Sequence, residues 1–539
     1  VLVAPAGAVR SDMSPYKQYV RARAADAAGL VDLAAAEYGA VLSTSPDDVL
    51  LANRTYRQAL IAGNEALAVK SAALLDAAGA LPPDGRLLFL IDKVAAKDWK
   101  GARVTATQIE REQALGFMVP AIRAWLAFGS GVGDPLSELS KAGLSGLASA
   151  YSPEHRVLLA LAMGQPDDAA TIIKAGATSG QMRDVSLRLL TAQSLAAQNK
   201  RDAALALVAG DDAALIAMQR QLQSKRRIAP PVIDAAFGIS QLLLRVAVDV
   251  NRERVTPLSP SLARMATFVA PKSVDARIAA AQMLAVSEFY DPAIALLRDV
   301  PAANPWASYA RSTRIRILIS QGARAEALAD IQAVTSKPDA TAADWTLLGD
   351  IYNGLQRSAD AAAAYGRAID LVSAKEPDDD QLGSLWLLKG SALDQAGSWP
   401  EARNALEKSL ALAPDQPVTL NYLGYAKLER REDIPKARAL IERASALRPD
   451  DAAITDSLGW AHYVQGDYDT AITKLEAAVA GDPGGSEINE HLGDAYWSRG
   501  RRIEARYAWR AALVTAQEKD ASRLTRKIDL GLDKDGTAP

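Results

Sequence analysis

The sequence predicts an all-α solenoid of stacked antiparallel helix pairs. Two observations carry that reading. Five glycines, Gly349, Gly390, Gly424, Gly459 and Gly493, recur at intervals of 41, 34, 35 and 34 residues, and each heads a similar block. A fixed period of about 34 with small residues at set offsets marks a helical-repeat array. Between the blocks, apolar residues recur at helical spacing, as in Arg314-Ile-Arg-Ile-Leu-Ile319 and Leu242-Leu-Leu-Arg-Val246. No segment has the alternation or the glycine-bounded β-branched runs of strands.

In chain order, Val1–Ala8 comes first. Its apolar residues and the triplet Ala6-Gly7-Ala8 match the end of a secretory signal with a small-x-small cleavage site. Residues 1–8 are expected to be a signal-peptide remnant, and the mature chain to start at Val9. From 9 to 341 the repeats are degenerate. Gly29, Ala34, Tyr38 and Pro46 sit at the repeat offsets, then Gly63, Ala68 and Ala72, then Trp99, Ala102 and Ala106. Gly164 with Ala169, Tyr290 with Ala293 and Leu297, and Gly322 with Ala327 and Ile331 follow. Breaks are expected at Gly129–Pro135 and at Gln219–Pro231, which carries Lys225, Arg226 and Arg227.

Residues 342–517 hold five clear repeats. Asp456-Ser-Leu-Gly-Trp-Ala-His-Tyr463 is followed by Gly466, Tyr468, Ala471, Leu475, Ala478 and Pro483. Glu490-His-Leu-Gly-Asp-Ala-Tyr-Trp497 is followed by Gly500, Ala505, Trp509 and Ala512. Glycine lets the first helix approach the second, alanine accepts it, and proline stops the pair. The pattern resembles the tetratricopeptide repeat (TPR) family. That resemblance implies a right-handed superhelix and the binding of other proteins. Two irregularities are expected to be local. The seven surplus residues near Ser373–Gln381 lengthen a loop or a helix end, and one extra residue near Asp433–Pro435 lies in a turn. Residues 518–539 are read as an amphipathic capping helix and a flexible tail.

Composition excludes several chemistries. The chain has 539 residues, too many for one core but not for a solenoid. Its net charge of −3 gives no electrostatic footprint for nucleic acid. No apolar run is long enough to span a membrane. There are no cysteines and three histidines, so thiolate chemistry, disulfides and thiolate zinc sites are absent. No phosphate loop or G-x-S-x-G motif occurs. His462 and His491 lie about one repeat apart, but repeats commonly place polar residues there. The expectation is a non-enzymatic protein with no cofactor and no metal.

The TPR resemblance implies where partners bind. Three positions of each first helix usually face the concave groove. They are Thr346, Asp350 and Asn353; Leu387, Ser391 and Asp394; and Asn421, Tyr425 and Leu428. The last two repeats give Asp456, Trp460 and Tyr463, and Glu490, Asp494 and Trp497. The expected groove is acidic to neutral, suited to a partner segment with basic or apolar residues. Trp460, Tyr463 and Trp497 are either partner anchors or packing between repeats. The run Asp456–Trp460, Glu487–Asp494, Gly500–Arg506 and Trp509 is similar to long, export-targeted TPR proteins of Gram-negative bacteria. One branch comprises lipoprotein adaptors that bring cell-wall hydrolases to a carboxyl-terminal processing protease. Those adaptors need an N-terminal cysteine, which this sequence lacks. The resemblance implies a periplasmic or cell-envelope scaffold that presents substrates to a protease. The alternatives are a cytosolic TPR scaffold and an assembly factor for a secretion or outer-membrane complex.

Overall fold

Several helices begin where a short polar side chain can hold the first free amides. Asp48, Asn64 and Asp98 accept from Leu51, Leu67 and Gly101 amides at 2.9, 3.1 and 2.9 Å. Thr341 and Asp344 form a reciprocal capping box. Each such cap contributes about 1 kcal/mol. The structure, a computed structural model, describes residues 14–140, 147–176, 181–210, 212–224, 227–253, 256–338, 340–374 and 379–532. The expected signal remnant, Lys225 and Arg226, the centre of the Ser373–Gln381 stretch and the end of the tail lie outside the described residues. Among the described residues there are 30 α-helices and no strand. No helix there is long and apolar enough to cross a membrane.

The chain divides into two units, 1–323 and 324–539. The first holds α1 (Pro15–Ala27), α2 (Val31–Thr44), α3 (Val49–Ala62), α4 (Glu65–Ala77), α5 (Gly85–Ala95) and α6 (Trp99–Glu112). It continues with α7 (Val119–Ser130), α8 (Pro135–Ser140), α9 (Leu147–Ala162), α10 (Pro166–Lys174), α11 (Gln181–Ala197) and α12 (Arg201–Leu207). It ends with α13 (Ala213–Gln223), α14 (Ala235–Glu253), α15 (Leu258–Val269), α16 (Val274–Val286), α17 (Tyr290–Leu297) and α18 (Ala307–Ser320). The second holds α19 (Arg324–Thr335), α20 (Ala342–Gly354), α21 (Ser358–Ser373), α22 (Asp379–Gln395), α23 (Trp399–Leu412) and α24 (Pro417–Glu429). There follow α25 (Ile434–Leu447), α26 (Ala452–Val464), α27 (Tyr468–Gly481), α28 (Ser486–Ser498), α29 (Arg502–Thr515) and α30 (Glu518–Leu530).

In the C-terminal unit one packing rule repeats. Each recurrent glycine sits where a large side chain of the paired helix crosses it. Gly349 meets Tyr365, Gly390 meets Leu406, Gly424 meets Ile441, Gly459 meets Leu475 and Gly493 meets Trp509. A Cβ on Gly459 would lie 2.7 Å from Leu475 Cγ, closer than real side chains come. The partner is sixteen residues on in four repeats and seventeen in the third. The extra residue is taken up in the α24–α25 turn, where Arg431 and Asp433 both adopt positive φ, 52° and 48°. The long first interval is absorbed partly by longer helices. α21 has 16 residues and α22 has 17, against 13 or 14 in the later pairs. The main contacts run from each helix to the next or next-but-one, and α30 packs on α29.

The N-terminal unit uses the same local rule. Ala34, Ala68, Ala102, Ala169 and Ala293 are fully buried near the starts of second helices. Gly29, Gly63 and Gly164 turn the chain before them with positive φ. Gly131 ends α7 in the same way, within the expected break at Gly129–Pro135. At the second expected break, helix continues to Gln223, and Arg227–Pro231 form no regular element. This unit then adds something the period does not contain. α14 and α15 return to earlier helices: α15 packs on α3 and α5, and α14 on α5, α7 and α9. Arg264 of α15 donates to the carbonyls of Leu60 and Ile61 at 3.3 and 2.9 Å, holding the C-terminal end of α3. Gly238 of α14 is overlaid by the Trp125 indole, 1.9 Å from where a Cβ would be.

Candidate functional site: the groove of the C-terminal repeats

First helices of successive repeats lie side by side, so equivalent offsets meet. A groove of about 390 Å³ opens on them. Tyr425 and Glu429 come from α24, Trp460 from α26, and Glu487, Glu490 and His491 from α28. Lys519, Asp520 and Arg523 of α30 close one side.

The floor is a stack of rings. Trp460 lies between His491, 4.1 Å away at 17°, and Tyr463, 4.6 Å away at 14°. His491 Nδ1 is 3.0 Å from both carboxylate oxygens of Asp456, on the first helix one repeat earlier. Burial pushes the imidazole pKa down, but Asp456, with Glu487 and Asp494, outweighs it and holds the pKa up at about 9. The ring is therefore an imidazolium at neutral pH. Trp460 Nε1 donates to Glu429 at 2.7 Å, and Tyr425 Oη donates to Glu487 at 2.6 Å. Burial, reinforced by Glu487 and Glu429, pushes the Tyr425 hydroxyl well above its usual range, so it stays a donor.

The structure separates the expected groove residues into four kinds. Asp350 and Asn353 are exposed on α20, with Asp350 accepting from Tyr365 Oη at 2.8 Å. Asn421 is half-buried, and its Oδ1 is enclosed without a hydrogen-bond partner. These three lie on earlier repeats or outside the groove lining. Tyr425 does line the groove. Trp460 lines its floor, and Asp456 and Tyr463 are buried behind it; Trp460 is 4 % and Tyr463 5 % exposed. Trp460 and Tyr463 stack as packing residues, and Asp456 is paired with His491.

Glu490, Asp494 and Trp497 are placed differently from the expectation of an open acidic strip. Asp494 is fully buried and accepts from Trp509 Nε1 at 2.9 Å and from Lys527 at 2.7 and 2.8 Å. Glu490 accepts from Arg523 Nε and Nη2, at 3.0 and 2.7 Å, and pairs with Lys527 at 2.7 Å. Burial would raise the Glu490 carboxyl, but Lys527 and Arg523 hold it below the usual range. Trp497 packs at 5.4 Å on Trp509, with Arg502 and Arg506 over its ring and Gly531 against its edge. The physical reason is α30. A helix offset says which face a residue is on, not whether the next helix covers it. The basic residues Arg523 and Lys527 stand four apart on α30, a visible spacing that the reading of first-helix positions left aside.

The acids that remain open to solvent are Glu429 and Glu487, with Asp520 half-buried beside them. Glu487 precedes His491 by one turn and lies outside the three expected offsets. His462 is occupied locally, with Nδ1 2.9 Å from Asp467. Among the described residues no group of three His, Asp or Glu side chains could hold a metal ion.

Comparison with known proteins decides the nature of the repeats. The tetratricopeptide repeat family model matches residues 346–417, 387–452, 423–486 and 457–521. Residues 346–521 are tetratricopeptide repeats. The chain is also 42 % identical over 83 residues to the cytochrome c-type biogenesis protein CycH of Rhizobium meliloti (strain 1021). That match covers 15 % of this chain and spans a fifth of the relative's length. Among solved structures, the Cut9–Hcn1 hetero-tetramer of the APC/C is similar over 96 % of both chains, at 14 % identity and a TM-score of 0.38. The C-terminal part of a TPR repeat-containing protein of Cytophaga hutchinsonii is similar over 46 % of this chain and 98 % of that one. Its identity is 21 % and its TM-score 0.33. TPR proteins bind other proteins or peptides.

Proposed function

We propose that this protein is a non-catalytic scaffold whose TPR groove holds a segment of a partner protein. The observation that carries this reading is the exposed pair Glu429 and Glu487 beside Tyr425, in a groove on successive first helices. The carboxylates would take basic side chains of an extended or helical segment, and Tyr425 and the edge of the ring stack would take its apolar side chains. The place of action is the bacterial cell envelope, where the scaffold presents bound substrates to a processing protease. The export-like residues Val1–Ala8 and the similarity of the last repeats to envelope adaptors support that part.

Crosslinked affinity capture from the source cells tests the reading. The wild type and the charge-reversed Glu429→Lys, Glu487→Lys double variant are compared. Partners are expected on the wild type and lost on the variant. Because Glu429 and Glu487 also accept from Trp460 and Tyr425, a melting curve checks that the variant is folded. The Glu429→Gln, Glu487→Gln variant, which keeps an acceptor oxygen at each position, should lose capture as well. Equal capture by the two would move the working surface elsewhere. A protease among the partners supports the adaptor role. The likeness to a cytochrome c-type biogenesis protein favours a second reading, a scaffold in the assembly of c-type cytochromes. Recovery of an apocytochrome in place of a protease would select it.

A further inference from the structure

α9, α11, α14 and α16 enclose a second cavity, of about 190 Å³, within the N-terminal unit. Much of its wall is apolar, with Leu158, Leu187, Leu244, Val248 and Met283. Charged groups are set into that wall. Glu154 is 4 % exposed, and its Oε2 is 3.2 Å from Arg183 Nη1. Arg245 Nε lies 3.0 Å from Asp249 on its own helix, and Arg252 is 4.0 Å from the same carboxylate. Asp275 accepts from Ser186 at 3.1 Å, from Gln241 at 3.0 Å and from Ser273.

The balance of donors and acceptors gives the sign of a ligand. Asp275 is supplied by three neutral donors and does not occupy the N–H groups of Arg245 or Arg252. Arg245 and Arg252 share one carboxylate, although each guanidinium carries five N–H donors. Donor capacity is therefore in excess beside an apolar wall. We propose that this cavity binds a small carboxylic acid with an apolar body, its carboxylate on Arg245 and Arg252 and its body against Leu244, Val248 and Met283. The site is independent of the TPR groove.

Glu154 makes the binding pH-dependent. Burial pushes its carboxyl up to about 7, against Arg183 and Arg245, while Asp249 and Asp275 add to the rise. His155 next to it is held down to about 3 by burial and Arg183, and stays neutral. As pH falls through 7, Glu154 gains a proton and the wall becomes more positive, so an anion binds more tightly.

Calorimetric titration of the full chain with hexanoate and phenylacetate at pH 6 and pH 8 is the test, with hexylamine and hexanamide as controls. Saturable one-to-one binding of the acids is expected, tighter at pH 6. Arg245→Gln should weaken it roughly tenfold or more, the loss of a buried charge-assisted contact. Arg252→Gln should weaken it about threefold, because that side chain is largely exposed. Arg252→Gln also decides the matter if Arg245→Gln fails to fold. Acetyl-Ala-Leu with a free carboxylate separates the sources. Binding as tight as hexanoate assigns a peptide C-terminus, and weaker binding assigns a free acid. Absence of acid binding, equal binding of the amine or amide, or wild-type affinity in Arg252→Gln would overturn the proposal.

Discussion

The two units follow one local rule and reach different architectures. In both, a small residue lets paired helices approach, and fully buried alanines begin the second helix. The C-terminal unit stops there: its helices pack on the next or next-but-one, with Tyr425 of α24 reaching Glu487 of α28, and the first helices keep an open groove. In the N-terminal unit α14 and α15 return across α3, α5, α7 and α9, and Arg264 joins residues 204 positions away. A nearest-neighbour array spreads its stability over interfaces, whereas the folded-back unit ties distant helices into one body. The lesson is that the same repeat can build a surface for partners or an interior with a cavity. What chooses between them is whether a later helix closes on the face.

Lys527→Met should have the largest effect in the C-terminal unit. It leaves Asp494, fully buried, and Glu490 without their shared ammonium. Removing one partner of a buried ion pair costs about 3–5 kcal/mol. Denaturant melts of this unit should shift accordingly, and a wild-type midpoint would show that Arg523 and Trp509 suffice.

Paired glycine substitutions sharpen the contrast between the units. Gly459→Leu forces Leu475 aside and Gly238→Leu displaces the Trp125 indole, and overpacking of this kind costs about 1–3 kcal/mol or more. Native-state hydrogen exchange should show Gly459→Leu losing protection in α26, α27 and their neighbours. Gly238→Leu should lose it together across α5, α7, α9 and α14. Uniform loss in both variants would erase the distinction. Arg264→Ala should cost about 1–3 kcal/mol by leaving α3 carbonyls unsatisfied, and should expose α3 and α15 to exchange at the same time.

The last effect is a pH slope. His491 has its pKa raised from 6.5 to about 9 on folding. A raised pKa adds stability that is fully present below about 6.5 and is lost as pH rises through about 9. Melting of the C-terminal unit should therefore fall between those values, and His491→Gln should flatten that fall.

How much of this was legible in the sequence follows from the same physics. The glycine ladder was visible because a close helix crossing admits no Cβ, and that requirement recurs with the repeat. The extra residue in the third repeat was visible as a spacing and emerges as two positive-φ residues in one turn. The return of α14 and α15 was not visible, because contacts such as Arg264 with Leu60 have no period. At the groove, helix offsets found the right faces and brought Tyr425, Asp456 and Trp460 together. They could not say that the Trp460 indole is sandwiched between His491 and Tyr463, or that α30 neutralises Glu490 and Asp494. Glu429 and Glu487, the acids left open, are recognisable only once those neighbours are in place.

The groove is the central functional claim, and photocrosslinking in the source cells addresses it most directly. A benzophenone amino acid is placed at position 515 or 519 on the groove wall, which leaves Glu429 and Glu487 intact, and at position 442 on the exposed side of a second helix. Adducts to the same partner from 515 and 519, and none from 442, are the predicted result. Adducts from 442 with none from either groove position would contradict the claim.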